Sequence, residues 1–220
     1  MTTAIIGTGQ IGSAIAGNLT RGGEPVVLAS QDNAHAAALA DTLGELATAA
    51  PAADAITAAD VVIIAVKPFQ ATRDIITENR DRLNGKVVVD PSNQYALGPD
   101  KQLLRTLPEG ESSGAIVAGL LPPDAQHVKA FGTLGAGTLG GAANSTPRAV
   151  LFYAADDGNA GATIERLITA AGFDPVKAGG LKDAGRLELP DGDLHQWGGL
   201  KGEVLDLDQA RAAVAMTPTS

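Results

Sequence analysis

Short apolar runs alternate with stretches of helical spacing, a glycine turn joins the first strand to the first helix, and Val61 to Val66 is continuously apolar. Together these three features predict an α/β fold built on a doubly wound, mostly parallel sheet. Thr3 to Ile6 reads as a strand. Gln10 to Arg21 reads as a helix with Ile11, Ala14, Ile15 and Leu19 on one face, stopped by Gly22-Gly23. Pro25 to Ala29 is the second strand. Ala34 to Leu43 repeats the helical spacing and ends at Gly44; Glu45 to Thr48 follows as a short strand and Pro51 to Ala58 as a brief helix. Val61 to Val66 has the composition of a central strand covered on both faces.

Pro68 opens a helix that reaches about Leu83, Lys86 to Val89 is the next strand, and Asp90-Pro91-Ser92-Asn93 leaves it as a loop. The spacing then predicts a helix near Lys101 to Leu107 and strands at about Ala115 to Leu120 and Val128 to Phe131. A flexible glycine-rich stretch runs from Gly132 to Ala143. Ala149 to Ala154 is a strand, Ile164, Leu167, Ile168 and Ala171 align on a helix, and Pro175 to Ala178 is the last strand before one or two closing helices.

Composition narrows the function classes. The 220 residues are 45% hydrophobic, enough for a sizeable core, and contain no cysteine, which closes thiol catalysis, disulfides and thiolate metal sites. No histidine and carboxylate spacing suits a metal either. A formal net charge of −9 without a basic cluster excludes a nucleic-acid partner. Val61 to Val66 is far shorter than the about 20 apolar residues a bilayer crossing needs, and the chain start lacks a basic leader. The expectation is a soluble, cytoplasmic protein with no membrane partner.

Gly7-Thr8-Gly9-Gln10-Ile11-Gly12 matches GxGxxG where the physics requires it, directly after a strand and opening a helix. Gly7 permits the tight turn, Gly9 lets the backbone approach a pyrophosphate, and Gly12 lets the helix lie against the sheet. The free amides of that helix would hold the phosphates. A second match, Gly135 to Gly140, runs into Gly141, Ala142, Ala143, Asn144 and Pro147 and is set aside as a nucleotide site. The pattern predicts an NAD(P)-binding, Rossmann-type domain at 1–148, with a small C-terminal α/β acceptor-site portion at 149–220 packed onto it as one unit.

At the end of the second strand Ser30 and Gln31 stand where NAD enzymes place a carboxylate for the ribose diol, which favours NADP(H) over NAD; Asp32 turned inward would favour NAD. Val66, Lys67, Pro68 and Asn93 follow the next strands and face the same ligand. Asn93 offers an amide to the nicotinamide or the substrate. His195 and His127 are the proton donors to consider, although a lone histidine is more often a structural or solvent-facing residue. Gly132-Thr133-Leu134-Gly135 and Gly137-Thr138-Leu139-Gly140 repeat a tetrad that could close over a substrate or form a surface connection. Trp197, the only tryptophan, suits a lid or a subunit contact.

Ala4-Ile5-Ile6-Gly7-Thr8-Gly9-Gln10-Ile11-Gly12, Ala29-Ser30, Val66-Lys67-Pro68, Val128-Lys129-Ala130-Phe131 and Ala171-Gly172-Phe173-Asp174 resemble the coenzyme F420-dependent NADP oxidoreductase family over nearly the whole chain. The resemblance implies NADPH as cofactor, hydride exchange with F420 or a flavin-like ring as small-molecule acceptor, and, by analogy, a homodimer. The chain departs from that family in having Gln31 for a basic residue, Phe131-Gly132 for a histidine, and an unlike segment from Gly185. A non-catalytic NADP(H)-binding or sensing module is the alternative; a membrane-linked metal reductase module ranks last.

Overall fold

A computed structural model of the chain describes residues 1–216. Strand and helix alternate from the start: β1 (Thr3–Ile6), α1 (Gln10–Arg21), β2 (Val26–Ala29), α2 (Asn33–Leu43), β3 (Ala47–Ala49), α3 (Ala52–Ala58), β4 (Val61–Ile64), α4 (Phe69–Glu78) and β5 (Val87–Asp90). A hairpin, β6 (Tyr95–Leu97) and β7 (Leu103–Arg105), stands apart from the main sheet. Then come α5 (Ser113–Leu120), β8 (Gln126–Lys129), α6 (Ala136–Gly141), β9 (Val150–Ala155), α7 (Gly158–Ala170), β10 (Asp174–Gly179) and α8 (Leu207–Ala215).

Eight strands form one sheet in the order β10-β9-β8-β5-β4-β1-β2-β3. The six from β3 to β8 are parallel, with Ile5 paired to Leu28 on one side and Ile63 on the other. β9 runs antiparallel to β8, and β10 is parallel to β9. Alternation along the strands divides the core into layers. Ile5, Ile63, Val89 and Val128 pack with α1 and α7, while Ala4, Ile6, Val62 and Val88 pack with α3, α4 and α5. A third cluster joins β9 and β10 to the Leu181–Leu187 3-10 helix and α8. Residues on both sides of position 148 therefore share a single sheet.

Two expectations fail in the segment between β5 and β8. Leu103–Arg105, within the expected helix at Lys101 to Leu107, is a strand paired antiparallel with Tyr95–Leu97, and Gly98 and Lys101 close the turn between them. Ala115 to Leu120, expected as a strand, belongs to α5. Ser112 caps that helix, accepting from the Ala115 amide at 3.0 Å. This short helix carries apolar or small residues on its exposed side, Ala115 and Ala118, as well as on its buried side, Val117, so its run lacks the period that marks an amphipathic helix. The glycine-rich stretch is also not a free loop: Phe131 to Leu134 are buried, and α6 packs on α1, where the Asn18 amide donates to the Leu139 carbonyl at 2.8 Å.

Candidate active site

The turn between β1 and α1 is built by three glycines with different tasks. Gly7 has φ +104°, donates to the Ala29 carbonyl at 2.7 Å, and has the Ala65 carbonyl oxygen 2.4 Å from where a Cβ would stand. At Gly12 a Cβ would lie 1.9 Å from the Gly7 carbonyl oxygen. Gly9 is the opposite case: its φ of −72° suits any residue, and a Cβ there would meet nothing within 4 Å. The space beside Gly9 is thus open, and a side chain would fill it. The Gln10, Ile11 and Gly12 amides precede the first intrahelical bond, from the Ser13 amide to the Gly9 carbonyl at 2.8 Å, and the first turn carries no acidic residue. Unpaired donors, the helix dipole and open space suit a diphosphate. Thr8 is buried, and its carbonyl accepts from the Ser13 hydroxyl at 2.8 Å.

Beyond β2, the Ser30 hydroxyl donates to the Asp32 carbonyl at 2.9 Å and Gln31 is exposed. The Asp32 carboxylate caps α2 through the Ala34 and His35 amides. It is engaged with the helix rather than turned to a ribose. His35, in the first turn of α2, brings Nε2 to 3.3 Å from the Thr8 carbonyl and so spans from α2 to the glycine turn.

The carboxyl ends of β4 and β5 open into a cleft of about 810 Å³. The structure brings Gln10, Ile11, Val66, Lys67, Pro68, Asn93 and His195 to this one cleft. Gly7, Thr8, Gly9, Gly12, Ser30, Gln31 and His127 are not on its wall, which reaches the glycine turn only at Gln10 and Ile11. Lys67 holds its ammonium 5.3 Å from the centroid of the Tyr95 ring. Among the described residues no carboxylate lines the cleft, and Lys67 is its only full charge. Asn93 is committed to both walls: its amide nitrogen donates to the Gly132 carbonyl at 2.9 Å, and its oxygen accepts from the Leu189 amide at 2.8 Å. His195 Nδ1 accepts from the Trp197 amide at 3.0 Å. Burial lowers the His195 pKa to about 4, against the contrary pull of the Gly132 carbonyl. At neutral pH the ring is neutral and acts as a brace between two segments.

A buried charge cluster lies under this floor. The Lys129 ammonium reaches Asp90 at 2.9 Å, the Ser113 hydroxyl at 2.8 Å, Glu188 at 3.4 Å and the Ser92 carbonyl. Glu188 in turn accepts from the Ser113 and Gly114 amides at the start of α5. Burial alone would raise the Asp90 pKa, but the adjacent Lys129 charge, the charge on His127 when protonated and the hydrogen bond from Ser92 outweigh it and lower it. His127 sits on the same strand, away from the cleft, with neither ring nitrogen partnered among the described residues. Burial brings its pKa down to about 4.

Sequence reading missed His35, the buried charge cluster around Lys129 and the place of Tyr95. The signal for the last was the scarcity of aromatic residues: an aromatic outside a predicted core element is unusual in this chain.

The family model for NADP oxidoreductase, coenzyme F420-dependent, matches residues 2–94. A hypothetical protein, SMa0349, from Sinorhizobium meliloti is 32% identical, with 94% of this chain and 95% of that chain covered and a TM-score of 0.78. A candidate F420-dependent NADP-reductase from Arthrobacter sp. FB24 is 24% identical over 84% of this chain and 87% of that one, with a TM-score of 0.70. An imine reductase from Streptomyces aurantiacus shares the fold at 19% identity and a TM-score of 0.55; the match covers 81% of this chain and 56% of the imine reductase. No curated protein matches.

Proposed function

The chain belongs to the coenzyme F420-dependent NADP oxidoreductase family, and we propose that it is an NADPH-dependent reductase passing hydride to a small acceptor such as F420 or a flavin-like ring. The observation that carries this reading is the turn at Gly7, Gly9 and Gly12, where two glycines have no room for a side chain and the third borders open space at free helix amides. Those amides would hold the pyrophosphate. Val66 and Pro68 would pass along the ribose and nicotinamide, with Lys67 near the ribose or phosphate. Bound NADPH would supply the hydride, while the protein's own residues orient it and exclude water.

NADP(H) is favoured over NAD(H) because the Asp32 carboxylate is spent on the α2 cap. Ser30, Gln31 and His35 are then the polar groups nearest the expected 2′-phosphate. Calorimetry with NADP⁺ and NAD⁺ tests this: NADP⁺ is expected to bind more tightly. Gln31→Ala is expected to weaken NADP⁺ about tenfold, the cost of one hydrogen bond to a charged group, and to leave NAD⁺ unchanged. Equal affinities for the two cofactors in the native protein would contradict it. Turnover is tested by NADPH oxidation with F420, FMN and quinones. The lack of an acidic side chain in the cleft favours a second reading, an NADP(H)-binding module without turnover. Tight NADP⁺ binding with no oxidation by any acceptor would select it.

A further inference from the structure

The chain has seven aromatic residues. Phe131, Tyr153, Phe152 and Phe173 are core residues at 2% exposure or less. The other three, Phe69, Tyr95 and Trp197, all line the one cleft. Phe69 is half-buried and also packs on the core, so Tyr95 and Trp197 are the two aromatics this chain presents away from its core clusters, and both lie at the same site.

Trp197 is 55% exposed yet tightly held. Its backbone amide donates to His195, and the neighbouring Gln196 side chain accepts from the Gly135 amide at 2.9 Å and donates to the Thr138 hydroxyl at 3.0 Å. The indole lies against two glycines: a Cβ on Gly135 would stand 2.6 Å from Nε1, and one on Gly202 3.3 Å from Cζ3. An exposed large apolar side chain with this much support is a presented surface rather than a frayed one. Hydride transfer to a ring requires that ring to lie flat against the nicotinamide within van der Waals distance, so a rigid flat wall beside the cofactor has a use. We propose that Trp197 is the specificity-determining platform of the acceptor subsite, stacking on a planar conjugated acceptor.

Tyr95 and Phe69 complete the wall, and Lys67 is placed to balance negative charge on the acceptor. This inference rests on the cleft being the nicotinamide site. It assigns the work of acceptor choice to the segment after Gly185, where the chain departs from its family.

The single tryptophan reports on its own occupancy. Titrating the NADP⁺-loaded protein with FMN, F420 or menadione is expected to quench its emission saturably, beyond the quenching of free N-acetyltryptophanamide under the same conditions. In equilibrium dialysis Trp197→Ala is expected to weaken binding of the quenching ring about tenfold, as loss of a stacked aromatic face does, and Trp197→Phe to restore most of it. The NADP⁺ affinity of both variants should stay within about twofold of the native protein, a change too small to matter in free energy. No saturable quenching by any of the three rings, or equal ring affinity in the alanine variant, overturns the proposal. Failure of the native protein to bind NADP⁺ would instead sink the cofactor reading.

Discussion

Gly12 shows how one methyl group can decide a local structure. Its Cβ would fall 1.9 Å from a backbone carbonyl, and a backbone atom cannot swing aside as a side chain does. Gly12→Ala is expected to cost about 1–3 kcal/mol by overpacking, seen as a lower midpoint in urea unfolding; an unchanged midpoint would show that α1 can shift outward freely. The glycine turn was legible in the sequence because its parts are adjacent in the chain. Asn93 was legible only as a residue near the ligand: its partners, Gly132 and Leu189, are 39 and 96 positions away. His35 escaped for the same reason, since its contact with Thr8 depends on how α2 leans on the turn.

Among the elements, those with a clear period were placed by it, and those without one were not. β1 to β5 and α1 to α3 carry their own signals in apolar spacing and glycine stops; α4 begins after Pro68 as expected but ends at Glu78, short of Leu83, with Arg80–Leu83 a separate 3-10 turn. β7 pairs with β6 across a short turn, but its two adjacent leucines carry no alternation that would mark a strand, while α5 is covered by the sheet and the Leu181–Leu187 segment, which a local window does not contain. The Lys129 cluster joins these elements at the cleft floor: β5, β8, α5 and the segment at Glu188 meet on a single ammonium. Lys129→Met would leave Asp90 and Glu188 buried without their cation. The expected loss is about 3–5 kcal/mol, or a Tm lowered by about 10 °C for a chain of this size. Calorimetric melting would check it, and a Tm within 2 °C or so of the native value would mean that the Ser92 amide on Asp90 and the α5 amides on Glu188 sustain the two carboxylates without the cation.

Across the whole molecule, acid should act through groups the fold keeps neutral or paired. His127 takes a proton near pH 6.5 when unfolded but only near pH 4 when folded. Its contribution is therefore complete above pH 6.5 and is lost as pH falls toward 4, amounting to about 2 kcal/mol at pH 5. His195 acts in the same direction, as does the lowered Asp90 carboxyl at more acid pH. Urea unfolding at pH 7 and pH 5 should show the drop, and His127→Phe should make it smaller; equal stability at both pH values would contradict the buried neutral histidine. The same sheet that buries these groups aligns the ends of β1, β4 and β5 under one helix terminus, and the account stands on what that terminus holds. Gly9→Val measures it most directly, because the backbone there is ordinary and the added Cβ meets nothing within 4 Å, and circular dichroism checks that the variant folds as the native protein does. Calorimetry is expected to show NADP⁺ affinity reduced by about 100-fold or more, the loss of several charge-assisted hydrogen bonds. Undiminished affinity in a folded Gly9→Val protein would mean that the dinucleotide does not lie at this turn.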